Sequence, residues 1–171
     1  MPTSVPAAIP SDGYILVKWV TTIATKTSPS LATELNAASS LDITCYLKTH
    51  ISPETSVESV EDWRACLRNV LETAGTQKTT IAPFEIIYDV QNASSVPNKA
   101  YAALTPTTTG FLCVRYGMDV DTALAAAQKI DVFPVYISAR DKMAPERNSQ
   151  LKAKVSVMIR DVPAYDVTIA A

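Results

Sequence analysis

The sequence predicts a mainly β fold of the α+β kind: a β-sandwich or partly closed β-barrel with one short flanking α-helix. Three observations lead there. Six or seven segments are rich in β-branched and aromatic residues or alternate apolar with polar ones. One segment alone, Pro97–Leu104, combines a helix-forming composition with a stop signal. The chain of 171 residues is 47% hydrophobic, ordinary for a globular chain, and carries no internal repeat or linker. We therefore expect a single domain over residues 13–171, preceded by a flexible or partner-docked arm over residues 1–12 that is rich in Pro, Ala and Ser.

Tyr14–Val20 reads as the first strand, with Ile15, Val17 and Trp19 on one face. Thr21–Ser40 is mostly loop, with room for one helical turn at Ser30–Asn36. Leu41, Ile43, Cys45 and Leu47 alternate with Asp42, Thr44 and Tyr46, which predicts a second strand. Lys48–Val60 is polar, lacks glycine and contains Pro53, so it is expected to be a long surface loop. The next segment is ambiguous: Val57, Val60, Trp63, Leu67 and Val70 recur at helical spacing, whereas Trp63, Ala65 and Leu67 also alternate as in a strand.

Thr79–Gln91 is expected to be a strand with Phe84, Ile86, Tyr88 and Val90 on one face and an edge position or bulge at Pro83. In Pro97–Leu104, Ser95 is a candidate N-cap, Pro106 stops the helix, and Tyr101 and Leu104 share a face able to cover a sheet. Phe111–Gly117 is the strand that follows. Asp119–Lys129 contains the run Thr122–Gln128, whose helix propensity is high but whose length is short. Ile130–Arg140 reads as a strand broken by Pro134, Asp141–Ser149 as a charged turn, and Leu151–Arg160 as an alternating strand. Val162–Ala171 adds a terminal strand after Pro163.

The same residues argue against most chemistries. Fifteen Lys and Arg against 17 Asp and Glu give a net charge of −2, without the basic surplus of a general nucleic-acid binder. Apolar runs fall far short of a bilayer span, and Met1–Ser11 has neither the basic start nor the apolar core of a signal peptide. Cys45, Cys66 and Cys113 are odd in number and widely spaced, which suits reduced, buried small hydrophobes and not a disulfide framework. One histidine and four glycines leave no multi-histidine metal site and no phosphate-cradling loop.

His50 with Cys66 or Cys45 is a conceivable base and nucleophile, although a loop histidine and packed thiols are the plainer reading. Asp119, Asp121 and Asp131 resemble part of a cation loop, yet they lack its turn glycine and terminal glutamate, so turn-forming carboxylates are favoured. Asn92-Ala93-Ser94 has the form of a glycosylation acceptor and is read as coincidence. Trp19 and Trp63 are assigned to core or interface packing. Arg64, Arg68, Glu61 and Glu72 are assigned to solvated or intersubunit charges, and the mixed-sign turn Asp141–Arg147 to protein contacts. No catalytic, cofactor-binding or metal-binding residue is assigned, and no cofactor.

Asn98-Lys99-Ala100-Tyr101-Ala102-Ala103-Leu104-Thr105-Pro106 followed by Thr109–Gly117 resembles the tail tube (major tail) proteins of actinobacterial siphophages. Asp121-Thr122-Ala123 with Gln128–Val135, and Glu34–Ala37 with Leu41–Leu47, resemble further segments of that family in the same order, from about Tyr14 to the C-terminus. The resemblance implies a tail-tube-like β-sandwich or barrel whose copies form hexameric rings, stacked into a tube through which the genome passes. It implies self-association, contact with tape-measure, tail-terminator and distal-tail proteins, and DNA in the lumen without specific binding. It also implies a place in the virion tail after assembly in the host cytoplasm, and no enzyme activity. It implies strand over Trp63–Thr73 and loop over Thr122–Lys129.

Heterologous contacts that do not close generate filaments, and strand edges and long loops serve as their surfaces. Lys48–Asp62 is on this reading an inter-ring contact, so trimming Ser52–Glu58 is expected to spare folding and block polymerisation. The alternatives are a tail or head completion protein that forms one ring and, from another class, a small ligand-binding β-barrel or enzyme.

Overall fold

The structure, a computed structural model, describes residues 8–64, 66, 68–91 and 96–171. Within them run β1 (Ile15–Val20), β2 (Leu41–Asp42), β3 (Pro53–Asp62), β4 (Leu71–Ile81), β5 (Phe84–Ile87), the helix α1 (Lys99–Ala103), β6 (Thr109–Tyr116), β7 (Lys129–Lys142), β8 (Lys152–Ile159) and β9 (Ala164–Thr168). Seven strands form one antiparallel sheet in the order β2-β1-β6-β7-β8-β5, with β9 also on β7, while β3 and β4 pair only with each other.

The sheet curls until its ends nearly meet. Leu47, just beyond β2, bridges to Ile86 of β5, and the Lys48 amide donates to the Glu85 carbonyl at 2.8 Å. Of the two architectures expected, the partly closed barrel is therefore the one formed, and a facing second sheet is not. Closure by so short a bridge still satisfies the edge of β5. Val17, Trp19, Leu112, Val114, Phe133, Val135 and Val155 fill the enclosed side, joined by Ala100 and Leu104 of α1. The outer side of β1, β6 and β7 carries a second cluster: Leu16, Val20, Cys113, Ile130 and Val132 beneath Leu35, Leu124 and Ile169. Central strands buried on both faces explain why Tyr14–Val20 and Phe111–Gly117 read as almost continuous apolar runs.

Pro134 does not break its strand. β6 pairs along Asp131–Tyr136 on one edge of β7; on the other, β9 pairs up to Val132 and β8 from Val135. The proline thus lies where the neighbour changes, its missing N–H costs no ladder bond, and its carbonyl still accepts from the Arg160 amide at 3.0 Å. Pro83 does interrupt: the expected strand Thr79–Gln91 divides into the end of β4 and the short β5.

Three further expectations are corrected. Leu41–Leu47 is not one strand, because after β2 the chain turns into a 3-10 turn at Thr44–Tyr46. The Asp42 carboxylate accepts from the Thr44 amide at 2.9 Å, and the Thr44 hydroxyl accepts from the Val17 amide at 2.8 Å. Side chains thus take the place of ladder bonds. Lys48–Val60 is not a loop, because from Pro53 it forms β3, the first arm of a long hairpin. Trp63–Thr73 is strand only from Leu71. Trp63 and Arg64 precede the turn between the arms, the described residues of 57–75 include no helix, and Ala65 and Leu67 lie outside the described residues.

The alanine-rich run 122–128 is loop despite its propensity, as the family resemblance implies. Its cause is Arg115, which is completely buried on β6. The guanidinium donates to the carbonyls of Asp119 and Thr122, both at 2.8 Å, to that of Ala123 at 3.4 Å, and to Gln128 Oε1 at 3.2 Å. Carbonyls of Thr122 and Ala123 that a helix would bond internally are thereby taken, and Ala127 adopts a φ of 69°. The expected one-turn helix is present at Leu31–Leu35, and a strand at Ala164–Thr168.

The expected helix is a 3-10 turn at Val96–Asn98 leading into α1. Candidate cap Ser95 lies outside the described residues. Arg140 seats the helix: its guanidinium stacks 3.7 Å from the Tyr101 ring centroid and donates to the Tyr101 carbonyl. Tyr101 in turn packs on Tyr88 with centroids 5.1 Å apart. The element thus braces the sheet as its apolar face predicts.

Gly110 is where the chain passes closest to the indole of Trp19. A Cβ there would lie 2.6 Å from the ring and 2.8 Å from the Val20 carbonyl oxygen. Gly110→Ala is accordingly expected to lower stability by about 1–3 kcal/mol, read as a shifted urea midpoint with unchanged slope.

Candidate assembly surface

Most of a hairpin with no core on either side stands away from the barrel. Its ten- and eleven-residue arms pair from Pro53 opposite Ile81 out to Asp62 opposite Leu71, with a register shift between Val57 and Ser59. Nearly every residue is exposed, and only Ile81 at the base is buried. Thr55 and Thr79 hydrogen-bond across the strands at 3.0 Å, and the Tyr165 hydroxyl of β9 lies 3.5 Å from Thr55. Gly75 permits the shifted register, since a Cβ there would meet the Glu58 carbonyl at 2.8 Å.

Five acidic residues (Glu54, Glu58, Glu61, Asp62 and Glu72) and three basic ones (Arg64, Arg68 and Lys78) lie between Pro53 and Ile81. Large apolar side chains concentrate toward the far end: Val60, Trp63, Val70 and Leu71 are all about half exposed or more, and Trp63 reaches 72%. An isolated two-stranded ribbon with such a surface is marginal in water, and its exposed edges and apolar end suit contact with another protein.

At the base, a cleft of about 340 Å³ opens between β4 and the turn from β8 to β9, lined by Lys78, Thr79, Arg160, Val162 and Tyr165 among others. Asp161 on its rim is engaged by Lys26, with Nζ to Oδ2 at 2.5 Å, which holds that carboxyl below the usual carboxylate range.

The residues singled out for chemistry scatter. His50 and Cys45 line one cavity of about 260 Å³ at an end of the barrel, while Cys66 sits apart in the hairpin turn; both cysteines are exposed and not packed as expected. His50 Nε2 lies 3.9 Å from Asp12 Oδ1, both in open solvent. Cys113 is buried, and desolvation pushes its thiol up to about 12, so it is inert packing. Asp119 accepts from the Asp121 amide at 2.9 Å, a turn role as favoured, whereas Asp131 lies within β7 and accepts from the Asp166 amide of β9 at 2.7 Å, a contact between strands. Among the described residues no group of three His, Cys, Asp or Glu is placed to hold a metal. No described helix is long and apolar enough to cross a membrane. Asn92-Ala93-Ser94 lies outside the described residues.

Trp19 is core, as assigned; Trp63 is not, being exposed. Arg64 pairs with Asp62 at 2.9 Å, whereas Glu61 and Glu72 face each other across the hairpin. Glu146 of the Asp141–Arg147 turn joins Glu85 around Lys152, at 3.7 and 3.1 Å. Sequence reasoning missed the second arm as an extension of the first, and with it the cleft at the base. It also missed Arg115, whose signal was a lone charge flanked by apolar residues in a strand.

A family model described as "Phage tail tube protein" matches residues 1–171. Comparison with curated proteins finds no match. Among solved structures, a chain of the anti-feeding prophage baseplate, determined by cryo-EM and 6-fold symmetrised, is similar in fold. The two are 13% identical with a TM-score of 0.56 over 93% of this chain and 95% of the other.

Proposed function

The chain belongs to the phage tail tube protein family and is a structural component of a phage tail, and we propose from that premise that its copies form hexameric rings stacked into a passive conduit for DNA. The observation that carries the reading is the hairpin β3–β4, which projects from the barrel with apolar residues and no core of its own. Such an element is stable when a neighbour covers it. Six-fold symmetrisation of the similar baseplate chain favours six subunits per ring. A net charge of −2 suits a lumen along which phosphates slide and are not held.

On this reading residues 13–171 act as one domain, with residues 1–12 as an arm that docks on a partner. No residue is catalytic and no cofactor is needed. The other tail proteins it meets are those that set tube length and close its two ends. Assembly takes place in the host cytoplasm.

Negative-stain electron microscopy of the purified protein tests the proposal. Long hollow tubes are the expected result. Isolated rings that never stack would leave a ring-forming completion protein as the answer, and a monomer at every concentration would remove both.

A further inference from the structure

The hairpin carries an unfinished surface at each end. At the far end Glu61 lies directly opposite Glu72. Both are exposed, and neither has an ion-pair partner among the described residues. Like charges opposed across an antiparallel pair weaken it, so this arrangement costs stability in a lone subunit. The acidic pair is flanked by exposed Val60, Trp63 and Leu71.

The near end is its complement. The cleft beside β4 has apolar walls at Val162, Pro163 and Tyr165, and it is flanked by Lys78 and Arg160. Both cations are exposed and make no ion pair among the described residues. The carboxylate closest in sequence, Asp161, is already neutralised by Lys26. Positive charge therefore stands in excess around the cleft.

Resting on the tail-tube reading, we propose that the far end of one copy's hairpin seats in the cleft of the next copy, with Glu61 and Glu72 meeting Lys78 and Arg160. The two surfaces cannot meet within one chain, because the paired ribbon between Glu72 and Lys78, six residues along β4, holds them about 20 Å apart. The partner is thus a second copy, and the contact is heterologous. Each bound copy presents a fresh far end, so the contact repeats along an open stack whose spacing follows the hairpin's length. The Glu61–Glu72 pair acts as a specificity device: repulsive in the free subunit, satisfied only when a cationic cleft receives it.

Charge reversal on each side, with rescue, tests this. E61K/E72K and K78E/R160E are each expected to lower tube mass by at least about tenfold under conditions where the wild type assembles. Mixing the two variants, or combining all four changes in one chain, is expected to restore tubes. Far-ultraviolet circular dichroism and thermal unfolding check that every variant is folded. Normal tubes from either two-site variant, or no rescue in both the mixture and the four-site chain, would overturn the contact while leaving the tail-tube reading in place. A wild-type protein that forms no tubes would overturn that reading, and this contact with it.

Discussion

Replacing residues 57–77 by an Asn-Gly turn between Ser56 and Lys78 is expected to abolish tube formation while moving the thermal midpoint by no more than about 4 °C, the equivalent of about 1 kcal/mol for a chain of this size. The cut is placed by the pairing. Ser56 faces Lys78, so the shortened hairpin keeps its base and the Thr55–Thr79 hydrogen bond. Every described residue between them is exposed except Asp62, which is half-buried, so the barrel loses no core. A chain lacking the far end loses only Gln77 from the cleft and still presents its Lys78, Arg160 and apolar walls. Added in small proportion to wild-type protein, it should therefore stop growth at the end where it binds, giving shorter tubes in electron micrographs. Tubes of normal length from the shortened chain alone would remove the hairpin from assembly. The simpler deletion of Ser52–Glu58 is the wrong experiment, because it removes most of β3 and strands the partner arm β4. A failure to polymerise would then report only a broken ribbon.

The hairpin escaped the sequence because it has no core against which to alternate. Strands are legible when one face is buried, because burial imposes alternation; Leu151–Arg160 alternates and indeed forms β8, with Ala153 and Val155 fully buried. Pro53–Asp62 meets no core on either face within a single chain, so no selection for alternation shows and its polarity reads as loop. On the proposed reading, what the residues of a subunit encode there is a contact with another subunit. The opposite error occurred at Leu41–Leu47, where true alternation did not give a strand. The Thr44 hydroxyl satisfies the Val17 amide, and the chain turns away with only Ile43 fully buried. Family resemblance placed the loop at Thr122–Lys129 correctly against its helix propensity, but it did not identify the cause. A single buried side chain outweighs an alanine run because four to five backbone hydrogen bonds of a short helix are individually marginal.

That side chain predicts the largest loss of stability outside the main core. Arg115→Met keeps the volume and apolar contacts of the long stem while removing every donor. The carbonyls of Asp119 and Thr122 would then be left without the partner that each has at 2.8 Å. Hydrogen bonds from a charged donor contribute about 1.5–3 kcal/mol each, and the cost of burying the guanidinium is recovered on its removal. A net loss of about 3 kcal/mol follows, seen as a midpoint lower by about 6–12 °C. Burial already presses on the ionised form, lowering the arginine's pKa, with the Asp119 charge opposing the shift. Arg115→Lys keeps the charge but has no planar fork to span three carbonyls, and it should fall between the two. The loop matters beyond itself, since the Val120 amide donates to the Gly13 carbonyl at 2.8 Å and the Gly117 amide to that of Tyr14 at 3.0 Å. Loosening it should therefore expose amides at the entry to β1 as well as residues 117–128, and hydrogen exchange measures both. If Arg115→Met were as stable as the wild type and residues 122–128 gained helical protection, the guanidinium would be a burden the fold tolerates and not the brace that holds this loop.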